Sequence, residues 1–262
     1  MEENATRTDG DGQAPALRLA RLRKQFGETT AVDHLDLAVP RGSFFGLVGP
    51  NGAGKTTALS MAVGLLHPDA GTARVFGVDV WADPVAAKRL IGVLPDGLAL
   101  PERLTGRELL TYLGLLRGLD RATVAARAGE LLEVLELAAA ERTLVTDYSA
   151  GMRKKITLAT ALLHTPRLLV LDEPFEAIDP VSAATIRAIL ERFVGAGGSV
   201  VISSHVMALV EQVCDHIGVI ARGRLVASGT LDQVRDGGSL DDAFVRLVGG
   251  HVSVEGLSWL ES

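Results

Sequence analysis

The sequence is short of thiols, of positive charge and of long apolar runs, and each shortage removes a class of function. One cysteine, Cys214, stands in 262 residues. A single thiol makes no intramolecular disulfide, and no zinc-ligand spacing surrounds it, so a reducing cytoplasm is the expected compartment. Asp and Glu number 32 against 26 Lys and Arg, for a net charge of −6 and a pI near 5.5. Proteins that bind nucleic acid usually carry a basic excess to meet phosphates, so no nucleic-acid partner is expected. The longest apolar stretches, such as Phe44 to Val48 and Leu168 to Leu171, have the length of strands, whereas a membrane-spanning helix needs about 20 apolar residues. Met1 to Pro15 is polar and acidic and lacks the apolar core of a secretion signal. It is expected to be a disordered tail. Internal repeats and low-complexity linkers are also missing, and any membrane role must work through a partner.

What is present is an ordinary globular balance, 47% hydrophobic and 22% charged, which supports a core without staples. Alternating apolar residues from Leu17 to Val39 predict antiparallel strands around a turn at Gly27 to Thr30. Phe44 to Val48 reads as a buried parallel strand, followed by a glycine-rich turn and a helix over about Lys55 to Leu66. The stretch from Pro84 to Leu163 is expected to be mostly helical, with leucines such as Leu109, Leu113 and Leu116 at helical spacing. Strand patterns return at Leu168 to Leu171, Val200 to Ile202, Ile217 to Ile220 and Leu225 to Ala227. The order predicts an α/β core interrupted by a helical subdomain.

Gly49-Pro50-Asn51-Gly52-Ala53-Gly54-Lys55-Thr56 fits the phosphate-binding pattern G-x-x-x-x-G-K-[ST]. Glycines let the backbone turn tightly so that amide N–H groups converge on phosphate oxygens, and the following helix adds its positive end. In this pattern Lys55 contacts the β- and γ-phosphates and the Thr56 hydroxyl ligates Mg2+. Kinases, GTPases and many ATPases share such a loop. A second motif narrows the field: the apolar run Leu168 to Leu171 delivers Asp172-Glu173-Pro174 to a strand end, the edge where α/β sheets hold ligands. Asp172 is suited to hold Mg2+, and Glu173 to polarise the attacking water as general base.

Tyr148-Ser149-Ala150-Gly151-Met152 precedes a further helix, which Ser149 can cap, making its start an anion site. The position of this segment, just upstream of the strand ending at Asp172, resembles the signature of the ABC ATPase family, usually L-S-G-G-Q. Tyr148, Ala150 and Met152 depart from that form. Sequences of the type Y-S-x-G-M resemble those of bacterial ABC exporters with separate membrane subunits. The resemblance runs from about Leu17 to Leu247.

The resemblance implies a P-loop NTPase fold: a RecA-like mixed sheet flanked by helices, with an antiparallel β subdomain and an inserted α-helical subdomain. The expected organisation is a tail over 1–15, an ATPase domain over 16–240 with the helical insertion at about 86–163, and a short C-terminal helix and tail over 241–262. It further implies that Phe26 stacks on adenine; that Asp179 links two ATP sites across a dimer; and that His205 hydrogen-bonds the γ-phosphate. Outside the resemblance these three read as a turn residue, a helix cap and a structural strand-end histidine. ATP is then expected between Gly49 to Thr57 of one subunit and Ser149 and Gly151 of a second, identical or closely related one. A transmembrane permease subunit would hold the pair at the inner face of the cell membrane.

One position departs from the family. Leu94-Pro95 is followed by Asp96 where the family has a Gln that ligates Mg2+ and senses the membrane partner. A carboxylate can ligate the metal but donates no hydrogen bond, so Asp96 is a metal-ligand candidate with altered geometry, or a cap for the turn at Gly97. Arg153-Lys154-Lys155 reads as a solvated helix face, with a phosphate contact by Arg153 as the alternative. The expected function is an ATP-hydrolysing motor of an exporter; the alternative is a non-transport ABC ATPase in DNA repair, translation or cluster assembly. An ATP-binding regulatory subunit without turnover is disfavoured by intact Lys55, Asp172, Glu173 and His205. The cargo is not encoded here.

Overall fold

A computed structural model describes residues 14–97 and 100–249. The expected tail and the last residues of the C-terminal segment lie largely outside these. The chain builds two sheets. β1 (Leu17–Phe26) and β2 (Thr29–Val39) form the antiparallel hairpin that the alternation predicts. They are joined by β4 (Ala70–Val75) and β5 (Val78–Asp79) in the order β2-β1-β4-β5.

The second sheet has the order β10-β9-β3-β8-β7-β6. Its members are β3 (Phe44–Val48), β6 (Ile91–Leu94), β7 (Leu168–Leu171), β8 (Ser199–Ser204), β9 (His216–Ala221) and β10 (Arg224–Thr230). All pairings are parallel except β9 with β10.

The continuous apolar runs in this sheet have a simple cause. Successive side chains of a strand point to opposite faces, and here both faces are covered. Phe44 and Val48 of β3, Leu169 and Leu171 of β7, and Val200 and Ile202 of β8 enter one core. Phe45, Leu47, Leu168, Val170 and Val201 enter the other. The first core is shared with the helical layer and the second with the antiparallel sheet and α1 (Lys55–Ala62).

Two expectations are corrected and two strands are added. β6 lies inside the stretch expected to be helical, so the helical insertion starts after Leu94 rather than at about 86, with α2 (Pro84–Leu90) before that strand. Four residues are too few for a period to show. β4 and β5 were not expected. The helix after the glycine-rich turn ends at Ala62, not Leu66, because Val63 caps it and Gly64 turns the chain at φ 79.

The insertion itself holds α3 (Gly106–Leu116), α4 (Arg121–Val134) and α5 (Ala150–Leu162). Thr105 and Glu108 form a capping box on α3, Asp120 caps α4 and Ser149 caps α5. α5 packs against α3, α4 and β6, which fixes the insertion to the main sheet. α6 (Pro180–Gly195), α7 (Met207–Val213), α8 (Leu231–Arg235) and α9 (Leu240–Val248) complete the chain.

Candidate active site

The parallel strands deliver the chemistry to one edge. β3 ends at the glycine-rich loop, β6 before Asp96, β7 before Asp172 and β8 before His205. Leu94 pairs in register with Leu171, and Leu171 with Ile202, so residues just beyond these strand ends are neighbours, as in other open parallel sheets. They open into a cleft of about 550 Å³. It is lined by Phe26, Asn51 to Thr57, Asp96, Glu173 and His205, together with Ala31 and Glu176.

The loop is shaped for this place. Gly52 and Gly54 adopt positive φ of 77 and 101. A Cβ on Gly54 would lie 2.3 Å from the Ala31 carbonyl oxygen, so β2 and the loop approach closely only because the side chain is missing. The Ala53 N–H donates to Pro50 O at 3.1 Å, and Gly223 N–H donates to Ala53 O at 2.9 Å. We expect Gly54→Ala to destabilise the fold by about 2 kcal/mol, through overpacking and a strained φ. For a chain of this size that lowers Tm by about 4–8 °C, and a thermal melt superimposing on that of the parent would refute it.

Lys55 is 7% exposed, and its ammonium donates to Gly49 O at 2.7 Å and Pro50 O at 3.3 Å. Burial draws its pKa down, while the negative charges of Glu173 and Asp172 oppose the shift. Asp172 is 4% exposed. The Ser203 hydroxyl donates to Asp172 Oδ1 in a short hydrogen bond and accepts from the Glu173 N–H at 2.9 Å. His205 Nδ1 sits 2.9 Å from Glu173 Oε1. An ionised carboxylate only accepts, so Nδ1 carries the hydrogen in this contact.

The other candidates lie outside the cleft lining. The Ser149 hydroxyl accepts from Met152 N–H at 3.2 Å, and a Cβ on Gly151 would lie 3.8 Å from the Ala177 carbonyl oxygen, an ordinary van der Waals contact. Asp179 caps α6, accepting from Val181 N–H at 3.1 Å and Ser182 N–H at 2.9 Å. Gly49 and Pro50 form the base of the loop behind Lys55.

The profile of the ABC transporter family matches residues 32–176. The daunorubicin/doxorubicin resistance ATP-binding protein DrrA of Streptomyces peucetius is 40% identical over 88% of this chain and 70% of its own length.

The chain belongs to the ABC transporter ATP-binding family.

Like other members, this ABC subunit binds and hydrolyses ATP. The bacitracin transport ATP-binding protein BcrA of Enterococcus faecalis is 38% identical over 81% of this chain and 68% of its own length. A solved ATP-binding subunit of an ABC transporter superposes with a TM-score of 0.83 at 29% identity, covering 88% of this chain and 99% of that one. Among the described residues, no helix of the ABC subunit is long and apolar enough to cross a membrane.

Sequence reasoning missed Ser203, Ala31 and Glu176 and misread one run. Ser203 left a weak trace, as a hydroxyl within the wholly buried β8. Arg153 to Lys155 is not a solvated face. Arg153 donates to Glu102 Oε1 at 3.0 Å and Thr146 O at 2.7 Å, so its guanidinium is engaged within the insertion. Lys155 is 8% exposed and pairs with Glu136 at 2.9 Å. Lys154 reaches main-chain carbonyls beside the cleft. The reason is the position of α5, enclosed by α3, α4 and β6.

Proposed function

We propose that this chain is the ATP-driven motor of an exporter and works as half of a composite dimer. ATP lies in the cleft, its adenine against Phe26 and its phosphates in the turn from Gly49 to Thr57. The partner subunit closes the site with its own Ser149 and Gly151 segment. Glu173 takes a proton from the attacking water and His205 contacts the γ-phosphate. Thr56, Asp172 and Asp96 offer oxygen donors only, a set that fits a hard cation such as Mg2+. When bound, Mg2+ would neutralise developing charge on the phosphates.

One observation carries the reading: Lys55, Glu173, His205 and Asp96 converge on one cleft, while Ser149 caps a helix outside its lining. A half-site of that kind is completed by a second copy. The names of the relatives point to export: they confer resistance to daunorubicin or linearmycin, transport bacitracin, or export Nod factor. They favour the exporter motor over repair, translation or cluster-assembly roles. By this reading the pair sits at the inner face of the membrane on a permease. Loss of the γ-phosphate lets the pair open, and the segment from Asp96 to Arg107 passes the movement on.

The test is pairing. ATP is expected to convert the purified chain from monomer to dimer in sedimentation, most completely when hydrolysis is slowed. Ser149→Arg is expected to abolish that dimer while leaving ATP affinity of the monomer within about threefold, since the bulky cation would sit in the partner's site. Dimerisation equal to that of the parent in this variant would refute the composite site.

A further inference from the structure

We propose that Lys154 is a positioning residue for hydrolysis, tying the main chain of Glu173 to the helix that begins at Ser149. The proposal rests on Glu173 acting as the general base. Glu173 has φ 45, a left-handed conformation that a residue with a Cβ keeps only where its surroundings hold it. Two side chains grip the peptide groups on either side of its Cα. The Ser203 hydroxyl accepts the Glu173 N–H at 2.9 Å, and Lys154 Nζ donates to the Glu173 carbonyl in a short hydrogen bond. The same ammonium lies 3.3 Å from the Glu176 carbonyl. With both flanking peptides held, the Cα–Cβ bond of Glu173 is aimed, and the contact of its carboxylate with His205 Nδ1 at 2.9 Å sets the rest of the side chain in the cleft.

The two grips come from different parts of the fold. Ser203 belongs to β8 of the main sheet, whereas Lys154 belongs to α5 of the helical insertion. Lys154 lies little more than one helical turn beyond Ser149, the residue placed against the partner's nucleotide. A shift of α5 therefore moves the point to which Glu173 is tied. The ammonium is half-buried, and burial draws its pKa down. The charges of Glu176, Asp96, Glu173 and Asp172 around it work the other way. A cation is thus set among acidic groups of the site without belonging to the phosphate loop. Its donors go to carbonyls, which places it as a support of the backbone and not as a ligand of the nucleotide.

The test uses the full chain with Lys154→Met, Lys154→Gln, Lys154→Arg and Glu173→Gln, measuring kcat, KM for ATP, equilibrium ATP affinity and the thermal melt. Lys154→Met is expected to lower kcat by about 10- to 100-fold, because a catalytic group displaced by about 1 Å loses that much. KM and ATP affinity stay within about threefold, since no transition-state-independent binding is removed. Lys154→Arg, which keeps charge and donors, is expected to restore most of kcat. Lys154→Gln, with a shorter neutral donor, falls between. Parental kcat in the Met variant, or KM and affinity losses as large as the loss in kcat, would overturn the proposal. If the Met variant does not fold, parental kcat in the Gln variant does the same. Failure of the underlying reading looks different: turnover retained by Glu173→Gln removes the general base whatever Lys154 does, whereas an inactive Glu173→Gln beside a fully active Lys154→Met removes only the positioning role.

Discussion

Glu173→Gln is expected to cut ATP turnover by about 10²- to 10⁴-fold while ATP affinity stays within about threefold, the loss that follows removal of a general base. The exchange preserves size and shape, and the amide oxygen can still accept from His205 Nδ1, which in the parent lies 2.9 Å from Oε1. What disappears is the capacity to take a proton. The backbone supports from Ser203 and Lys154 act on main-chain atoms and are untouched. ATP should therefore bind, the pair should close and the closed pair should persist. Phosphate release under steady-state conditions, with an equilibrium ATP titration beside it, measures both halves. Turnover within about tenfold of the parent would show that another group accepts the proton.

Lys55→Ala is the second large effect. Among the described residues lining the cleft, Lys55 is the lone lysine or arginine; it shares that lining with Asp96, Glu173 and Glu176, and the charges of Glu173 and Asp172 act on it. Its ammonium now rests on the carbonyls of Gly49 and Pro50, weak partners that phosphate oxygens would replace at little cost. An alanine cannot reach, and the acidic groups are left facing an anionic ligand. Loss of one charged hydrogen-bonding partner costs about 1.5–3 kcal/mol, or about 10- to 100-fold in ATP affinity. Residual turnover at saturating ATP should fall by about 10²- to 10³-fold, as when a donor to developing charge is deleted. ATP-dependent pairing is lost with it. Alanine is well suited to the start of α1, so the melt should change little. Unchanged affinity and unchanged pairing would leave the phosphate loop without its assigned part.

The legible portion of the site was the part written in contiguous residues. The loop proposed to hold phosphates is a short run of glycines ending in Lys55 and Thr56, a compact pattern because neighbouring amides have to converge on one anion. Asp172 and Glu173 are adjacent because one strand end presents both. The two-sided burial of β3, β7 and β8 is likewise written in their unbroken apolar runs. β6 was hidden because Ile91–Leu94 is too short to show a period and sits between helices. The basic run on α5 was misread because composition reports charge but not enclosure.

By itself, then, the amino-acid order determined the nucleotide chemistry, the interrupted α/β architecture and the family, since each depends on local patterns that a few neighbouring side chains impose. The tertiary structure alone decided that Ser203 joins Asp172 to Glu173 and that Lys154 reaches across to the main chain of Glu173. These contacts link residues 19 to 31 positions apart. They are set by strand register and by how α5 packs on the sheet, which no stretch of sequence encodes on its own.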